Sequence, residues 1–341
     1  MERILAINVS RIGDTLLATP ALRALGQRQG VILDVLAHPK RREVLEGLPF
    51  IHRLGSITPT RAKWWLLGRQ LAHLVPEYDW AVVWGRDEAL VRYALSRAKK
   101  VVAHRTADAG LNRRLTGALD LPPGGKHAVR QRLAYIAPLG VAPAGLALSY
   151  QVSPAEAQWA DQFLACQPLP PGLRVGLQLK SFHTKSHRDW PVASFAALIQ
   201  RFLQRYPDAG FFILGGAESA PEAGAMAARF PGHVVPVAGR LSLRQTAALM
   251  SRLNLYVGVD TGPTHLAGAL GIPMVALYHS AYPGRYLAPL EHPACVVLEH
   301  PHTEHPATDD AMDAIGVDQV WAGALSLLDK TPITSSPVTG A

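Results

Sequence analysis

Short apolar runs rich in β-branched residues alternate with longer stretches of helical periodicity along almost the whole chain. The runs at 4–9, 31–36, 80–84 and 101–103 predict strands in the first half. Those at 175–179, 211–214, 234–237, 255–257, 274–277 and 296–298 predict strands in the second. Several are apolar throughout instead of alternating, as expected of parallel strands covered on both faces. Between them, residues 64–74, 88–96, 130–139, 192–205 and 243–252 repeat apolar positions at helical spacing. This order predicts βαβ units and doubly wound α/β sheets.

The alternation weakens between about 143 and 172. One helix opens there, with Ser153 suited to the N-cap and Pro154 to the first helical turn. Pro168, Pro170, Pro171 and Gly172 follow, and a fresh strand then begins. We read residues 1–152 and 153–330 as two Rossmann-like domains whose sheets present their carboxyl ends to one cleft. Residues 331–341, rich in Ser, Thr and Pro without periodicity, read as a disordered tail.

Bulk composition narrows the function. The chain has 341 residues, 48% hydrophobic and 18% charged, enough for two ordinary cores. A net charge of +8 favours an anionic partner, yet the basic residues are scattered over the first 130 positions and form no nucleic-acid motif. Two distant cysteines, Cys166 and Cys295, suit a reducing compartment and read as small buried hydrophobes. The apolar run at 4–9 is too short for a signal peptide, and the longest apolar stretch, at 253–278, is broken by Asp260, His265, prolines and glycines. A soluble protein is expected.

Four loops carry candidate chemistry. The first strand runs into Ser10-Arg11-Ile12-Gly13-Asp14, where Gly13 permits a tight turn and Asp14 lies at the strand's carboxyl edge. Spacing alone leaves Asp14 open as a plain N-cap. Late in the chain, Gly258 to Gly271 joins a strand to a small-residue helix capped by Asp260 or Thr261. Gly262 leaves its first amides uncovered for a pyrophosphate, with His265 beside them. At mid-chain, Lys180, Lys185 and Arg188 crowd a strand-to-helix loop and could pair with phosphates. Gly215-Gly216-Ala217-Glu218 permits close approach of a base or ribose, with Glu218 or Glu222 as the hydroxyl acceptor. No G-x-G-x-x-G, G-x-S-x-G or H-E-x-x-H occurs, which disfavours dinucleotide oxidoreductases, serine hydrolases and zinc peptidases. Histidines 292, 300, 302 and 305, set among prolines, read as an exposed linker and not as a metal cluster.

In this order the segments resemble glycosyltransferase family 9, the ADP-heptose:lipopolysaccharide heptosyltransferases. The match is to S-x-x-G-D with Pro20-Ala21-Leu22, to Arg188-Asp189-Trp190-Pro191, and to Asp260 through Pro273. The resemblance implies a GT-B fold, with the acceptor side (Ser10, Arg11, Gly13) in the first domain and the nucleotide sugar mainly on the second. It implies inverting transfer of a heptose from ADP-heptose without cofactor or metal, and Asp14 as the base. Lys180, Lys185, Arg188, Asp260, Thr261, Gly262 and His265 would hold the donor, and Glu218 or Glu222 its ribose. The acceptor would be an anionic lipopolysaccharide core at the cytoplasmic face of the inner membrane, with peripheral membrane contact and no nucleic acid. Many family members carry lysine where this chain has Arg188. Another donor sugar or acceptor, a nucleotide-sugar epimerase and a polyanion binder stay open as alternatives.

Overall fold

A computed structural model of the chain describes residues 1–69, 76–120, 125–181 and 183–330. The expected tail at 331–341 and the far end of the helix expected at 64–74 lie outside them. The chain divides into two compact units, Met1–Gln151 and Val152–Ala341.

The first unit holds β1 (Glu2–Asn8), β2 (Val31–Ala37), β3 (Arg53–Ser56), β4 (Tyr78–Trp84), β5 (Ala98–His104) and β6 (Gly117–Leu119). They form one six-stranded sheet in the order β3-β2-β1-β4-β5-β6, parallel throughout. Leu5, Ile7, Ala81, Val83, Val101 and Ala103 pack one face against Leu90, Val91 and Ala94 of the Glu88–Arg97 helix. That helix starts where Asp87 accepts the amides of Ala89 and Leu90. The edge strands β3 and β6 carry no apolar run. They exist because β2 and β5 offer them backbone partners, which explains why periodicity alone passed over them.

The second unit holds β7 (Arg174–Gln178), β8 (Gly210–Leu214), β9 (Val234–Pro236), β10 (Leu255–Val259), β11 (Met274–Tyr278) and β12 (Cys295–Glu299). Its order is β12-β11-β10-β7-β8-β9, again parallel throughout. Every strand expected from the apolar runs is present in one sheet or the other. Trp190 is fully buried in this core and donates its indole N–H to the Ile315 carbonyl at 2.8 Å, so the aromatic of the R-D-W-P motif is a structural anchor. Ser153 and Glu156 form a capping box on the Pro154–Ala165 helix. Glu156 also receives Nε and Nη2 of Arg244, both at 2.7 Å, and this guanidinium is the chief reason its carboxyl is held down at about 2. Cys166 is a correction to expectation. It is the C-cap of that helix and is exposed, because the amphipathic face ends there, whereas Cys295 is half-buried.

Each sheet reverses its winding once, between β1 and β4 in the first unit and between β10 and β7 in the second. Helices diverge to opposite faces at such a reversal, so the strand ends there are left open and are where ligands bind in open α/β sheets.

Candidate functional site

At the reversal in the first unit, β1 leads through Ser10 and Arg11 into a five-residue helix, Ile12–Leu16, and a second helix, Thr19–Gly26, follows. Arg11, exposed, is the N-cap of the first helix, so Asp14 is its third residue and does not cap it. Gly13 is likewise helical, with its carbonyl accepting the Leu17 amide at 2.9 Å, so the tight turn expected there is absent. Thr19 does not cap the second helix. It is the first residue of that helix, and its hydroxyl donates back to Leu16 at 2.6 Å.

The carboxylate of Asp14 is 45% exposed and accepts a hydrogen bond from Arg132 Nη2 at 2.9 Å. Arg132 arrives from the Ala128–Ala134 helix, 118 positions away. It also lines a cavity of about 230 Å³ together with Ser10, Trp84, Gly85, Arg86, His104, Gln131 and Tyr135. Trp84 donates its indole N–H to the Arg132 carbonyl at 3.1 Å, which fixes the backbone that carries the guanidinium. Arg86 donates to His104 Nε2 at 3.2 Å, and His104 Nδ1 lies 2.7 Å from the Arg105 carbonyl. Because a guanidinium only donates, His104 Nε2 accepts from Arg86, leaving Nδ1 to face the carbonyl. Burial raises the Tyr135 hydroxyl above its ordinary value, so that wall keeps a proton to donate. The cavity thus offers two guanidiniums, an imidazole, an amide and hydroxyls, with a half-exposed carboxylate joined to it through Arg132. Such a lining suits an anionic polyol. At the end of β1, Asn8 is buried with neither amide atom hydrogen-bonded.

At the reversal in the second unit, two distant motifs meet. Asp260, 5% exposed, follows β10 and accepts Arg188 Nη1 at 2.7 Å. His265, on the Gly262–Leu270 helix, brings Nε2 to 3.5 Å from the other oxygen of Asp260. Gly258 is required here. A Cβ would strike the Tyr256 hydroxyl and lie 2.7 Å from Gln178 Cβ. The buried Tyr256 hydroxyl bonds Thr264 Oγ1 at 2.9 Å, and Thr264 in turn donates to the Val259 carbonyl, tying helix to strand. Burial drives the Tyr256 pKa far up, so its phenol stays protonated.

The helix mouth differs from expectation. Thr261 is the N-cap but makes no side-chain cap, Pro263 has no N–H, and the Thr264 amide bonds the Thr261 carbonyl at 3.1 Å. The amides of Thr261 and Gly262 are what this end can offer an anion.

Residues 183–188 form a 3-10 stretch kinked at Lys185. Lys180 pairs with Glu222, and that ammonium is the chief reason the Glu222 carboxyl is held low. Lys185 Nζ donates to Tyr282 Oη at 3.2 Å, and the Arg188 guanidinium carbon lies 3.3 Å from the centre of the same ring. Asp189 accepts both the amide and the hydroxyl of Ser181 at 2.6 Å, yet burial raises its carboxyl. Glu218, by contrast, is exposed on the turn after β8. Buried polar atoms without a hydrogen-bond partner gather here: His187 Nε2, Arg188 Nε, Glu222 Oε2 and His265 Nδ1. Such atoms are rare and mark where polar ligands or water complete a network.

The exposed-linker expectation fails for His300, which is fully buried because its amide pairs with Tyr278 as β12 ends. His300, His302 and Asp310 bring ligand atoms within 4.8 Å of one another, though no sequence spacing announced it. His302 already bonds Asp310 at 3.0 Å, and the buried His279 contacts the Asp310 carbonyl at 2.9 Å. Sequence reasoning also passed over Arg86, His104, Arg132 and Tyr282 as site residues. Arg86 and His104 stand at or just after strand ends, a signal that could have found them, and Tyr282 sits in the turn after β11. Arg132 comes from mid-helix and carries no such mark.

A family model for glycosyltransferase family 9 (heptosyltransferase) matches residues 89–314. The chain is 25% identical over 158 residues to the lipopolysaccharide core heptosyltransferase OpsX of Haemophilus influenzae, covering 46% of this chain and 43% of that relative. It thus spans less than half the length of OpsX. It is 24% identical over 288 residues to lipopolysaccharide heptosyltransferase 3 of Escherichia coli, covering 78% and 80%. Among solved structures, the glycosyl transferase family 9 protein of Veillonella parvula superposes with a TM-score of 0.81 at 19% identity over 97% and 98% of the two chains. The E. coli heptosyltransferase WaaC with ADP gives 0.71 at 18% identity over 95% and 99%. At such identities these structural likenesses speak to the fold alone.

Proposed function

This chain belongs to glycosyltransferase family 9, the heptosyltransferase family, and on that footing we propose that it moves a heptose from ADP-heptose onto the inner core of lipopolysaccharide with inversion. The observation that carries the reading is the Arg188–Asp260 ion pair, in which residues of two motifs 72 positions apart meet at the open end of the second sheet. There the Thr261 and Gly262 amides, Arg188 and Lys185 would bind the donor diphosphate, and Glu222 its ribose. These groups would stabilise the charge that grows on ADP as the glycosidic bond breaks. The cavity beside Arg132 would take the anionic acceptor. Asp14 would accept the proton of the acceptor hydroxyl as its oxygen attacks the anomeric carbon. No metal is needed in this scheme. A relative named as a lipopolysaccharide core heptosyltransferase and a family member solved with ADP support the donor and acceptor classes.

The test is thermal unfolding with ADP, UDP, GDP, CMP and a short DNA duplex, with and without chelator. ADP at 100 times its dissociation constant adds about 2.7 kcal/mol to the state that binds it. A shift with ADP alone, unchanged by chelator, is expected. A shift with UDP or GDP in its place would remove the heptose donor, and one with DNA alone would remove the transferase site.

A cytoplasmic protein in peripheral contact with the inner membrane fits the surface of the Pro59–Arg69 helix. No helix among the described residues is long and apolar enough to cross a membrane. On the Pro59–Arg69 helix, Trp65 turns inward, edge-on to Tyr93 and under the Arg97 guanidinium. Trp64 and Leu67 stand 70% and 56% exposed beside the exposed Arg61 and Lys63. An indole and a leucine flanked by cations suit an anionic lipid interface. Sedimentation with phosphatidylglycerol vesicles should fall at least fivefold in Trp64→Ser/Leu67→Ser. Unchanged binding would rule this helix out.

A further inference from the structure

Tyr282 belongs to none of the motifs, yet two of the cations assigned to the donor diphosphate rest on it. Its ring lies under Arg188 at 3.3 Å from the guanidinium carbon, which is contact distance for parallel stacking. Its hydroxyl accepts Lys185 Nζ at 3.2 Å, and the same ammonium is 5.0 Å from the ring centre. The ring itself is held. The Tyr282 amide closes a turn onto the His279 carbonyl at 2.9 Å, the Ala281 amide bonds His279 Nδ1 at 3.1 Å, and His279 is fully buried.

Stacking matters because a guanidinium is flat. With one face on the ring, all its N–H groups radiate in the plane and stay available, whereas a lysine ammonium has no face to stack. Of those groups, Nη1 is used by Asp260 and Nε is buried without a partner. Lys185, at the kink of its 3-10 stretch, is steered by the phenol oxygen to the same side chain.

We propose that Tyr282 is a positioning residue that orders Arg188 and Lys185 into a two-cation clamp for the diphosphate of the nucleotide donor. The proposal rests on the donor site read above. The lowered Tyr282 pKa, caused first by the Lys185 hydrogen bond and then by Arg188, agrees with cations held against the ring.

The test is a double-mutant cycle on the full chain, with ADP and AMP affinity read by calorimetry and folding checked by thermal melts. Arg188→Lys and Tyr282→Leu should each weaken ADP at least tenfold and AMP no more than about threefold. The double variant should be no more than about threefold weaker than Arg188→Lys alone, the share of the lost Lys185 contact, because a lysine at 188 has no face to stack on the ring. Tyr282→Phe keeps the stack and loses only the Lys185 contact, so it should cost about threefold for ADP, and it serves if Tyr282→Leu does not fold. Losses that multiply in the double variant, or a Tyr282→Phe as weak as an unfolded-site control, overturn the clamp while leaving the donor site standing. A wild type that binds no ADP overturns the donor reading and the clamp with it.

Discussion

Asp14→Asn should lower transfer turnover by a factor on the order of 10³, within the range ascribed to a positioned general base. The substitution keeps the shape of the side chain and its hydrogen bond from Arg132, which now reaches an amide oxygen at the position 2.9 Å away. What it removes is the ability to accept the acceptor proton. Asp14 is 45% exposed, so the loss of one carboxylate should change the melting temperature little. ADP affinity should be unchanged, because every residue assigned to the donor lies in the other unit. Steady-state turnover and ADP calorimetry on the same preparation check both halves. Turnover within tenfold of wild type would place the base elsewhere. Loss of ADP binding would mean that Asp14 acts on the nucleotide.

Asp260→Asn should have the largest effect on stability and on the donor. Asp260 and Arg188 are 5% and 13% exposed, and removing one partner of a buried pair leaves the other charge uncompensated, at a cost of about 3 kcal/mol or more. Stacking on Tyr282 offsets part of that cost, so the lower end is expected. His265, 3.5 Å from the other carboxylate oxygen, loses its partner in the same change. ADP should weaken at least tenfold, because Arg188 then loses the carboxylate that fixes its guanidinium beside the helix mouth. Removing both charges with Asp260→Leu/Arg188→Met should restore stability relative to the single variant but not ADP affinity. Urea unfolding and calorimetry separate the two effects. Wild-type ADP affinity in Asp260→Asn would show that the pair is only structural.

Much of the scaffold was legible because it is written locally. A strand of a parallel sheet declares itself as an apolar run, as at 211–214, where Phe211 to Leu214 are all buried. Ser153-Pro154 with Glu156 declares a helix start, because the cap is made within three residues. The Asp260-to-Gly271 segment was readable for the same reason, down to Gly271 in the left-handed conformation that ends its helix.

The candidate site was legible only as far as each motif reached. Asp14 could be read as an N-cap until the backbone made Arg11 the cap, and its partner Arg132 lies 118 positions away. Glu218 and Glu222 are equivalent in sequence, and the fold pairs Glu222 with Lys180 and leaves Glu218 exposed. The histidines near 300 looked like a linker until sheet pairing buried one of them.

By itself, then, the sequence determined the alternation of elements, the α/β class and the capped helix start at Ser153, all consequences of interactions a few residues long. Only the tertiary structure decided the edge strands β3 and β6, the partners of Asp14 and Asp260, the ring beneath Arg188 and the burial of His300. Each of those depends on groups tens of positions apart, brought together by the order in which buried strands pair. That order is set by the packing of the whole sheet, and no short window of residues carries it.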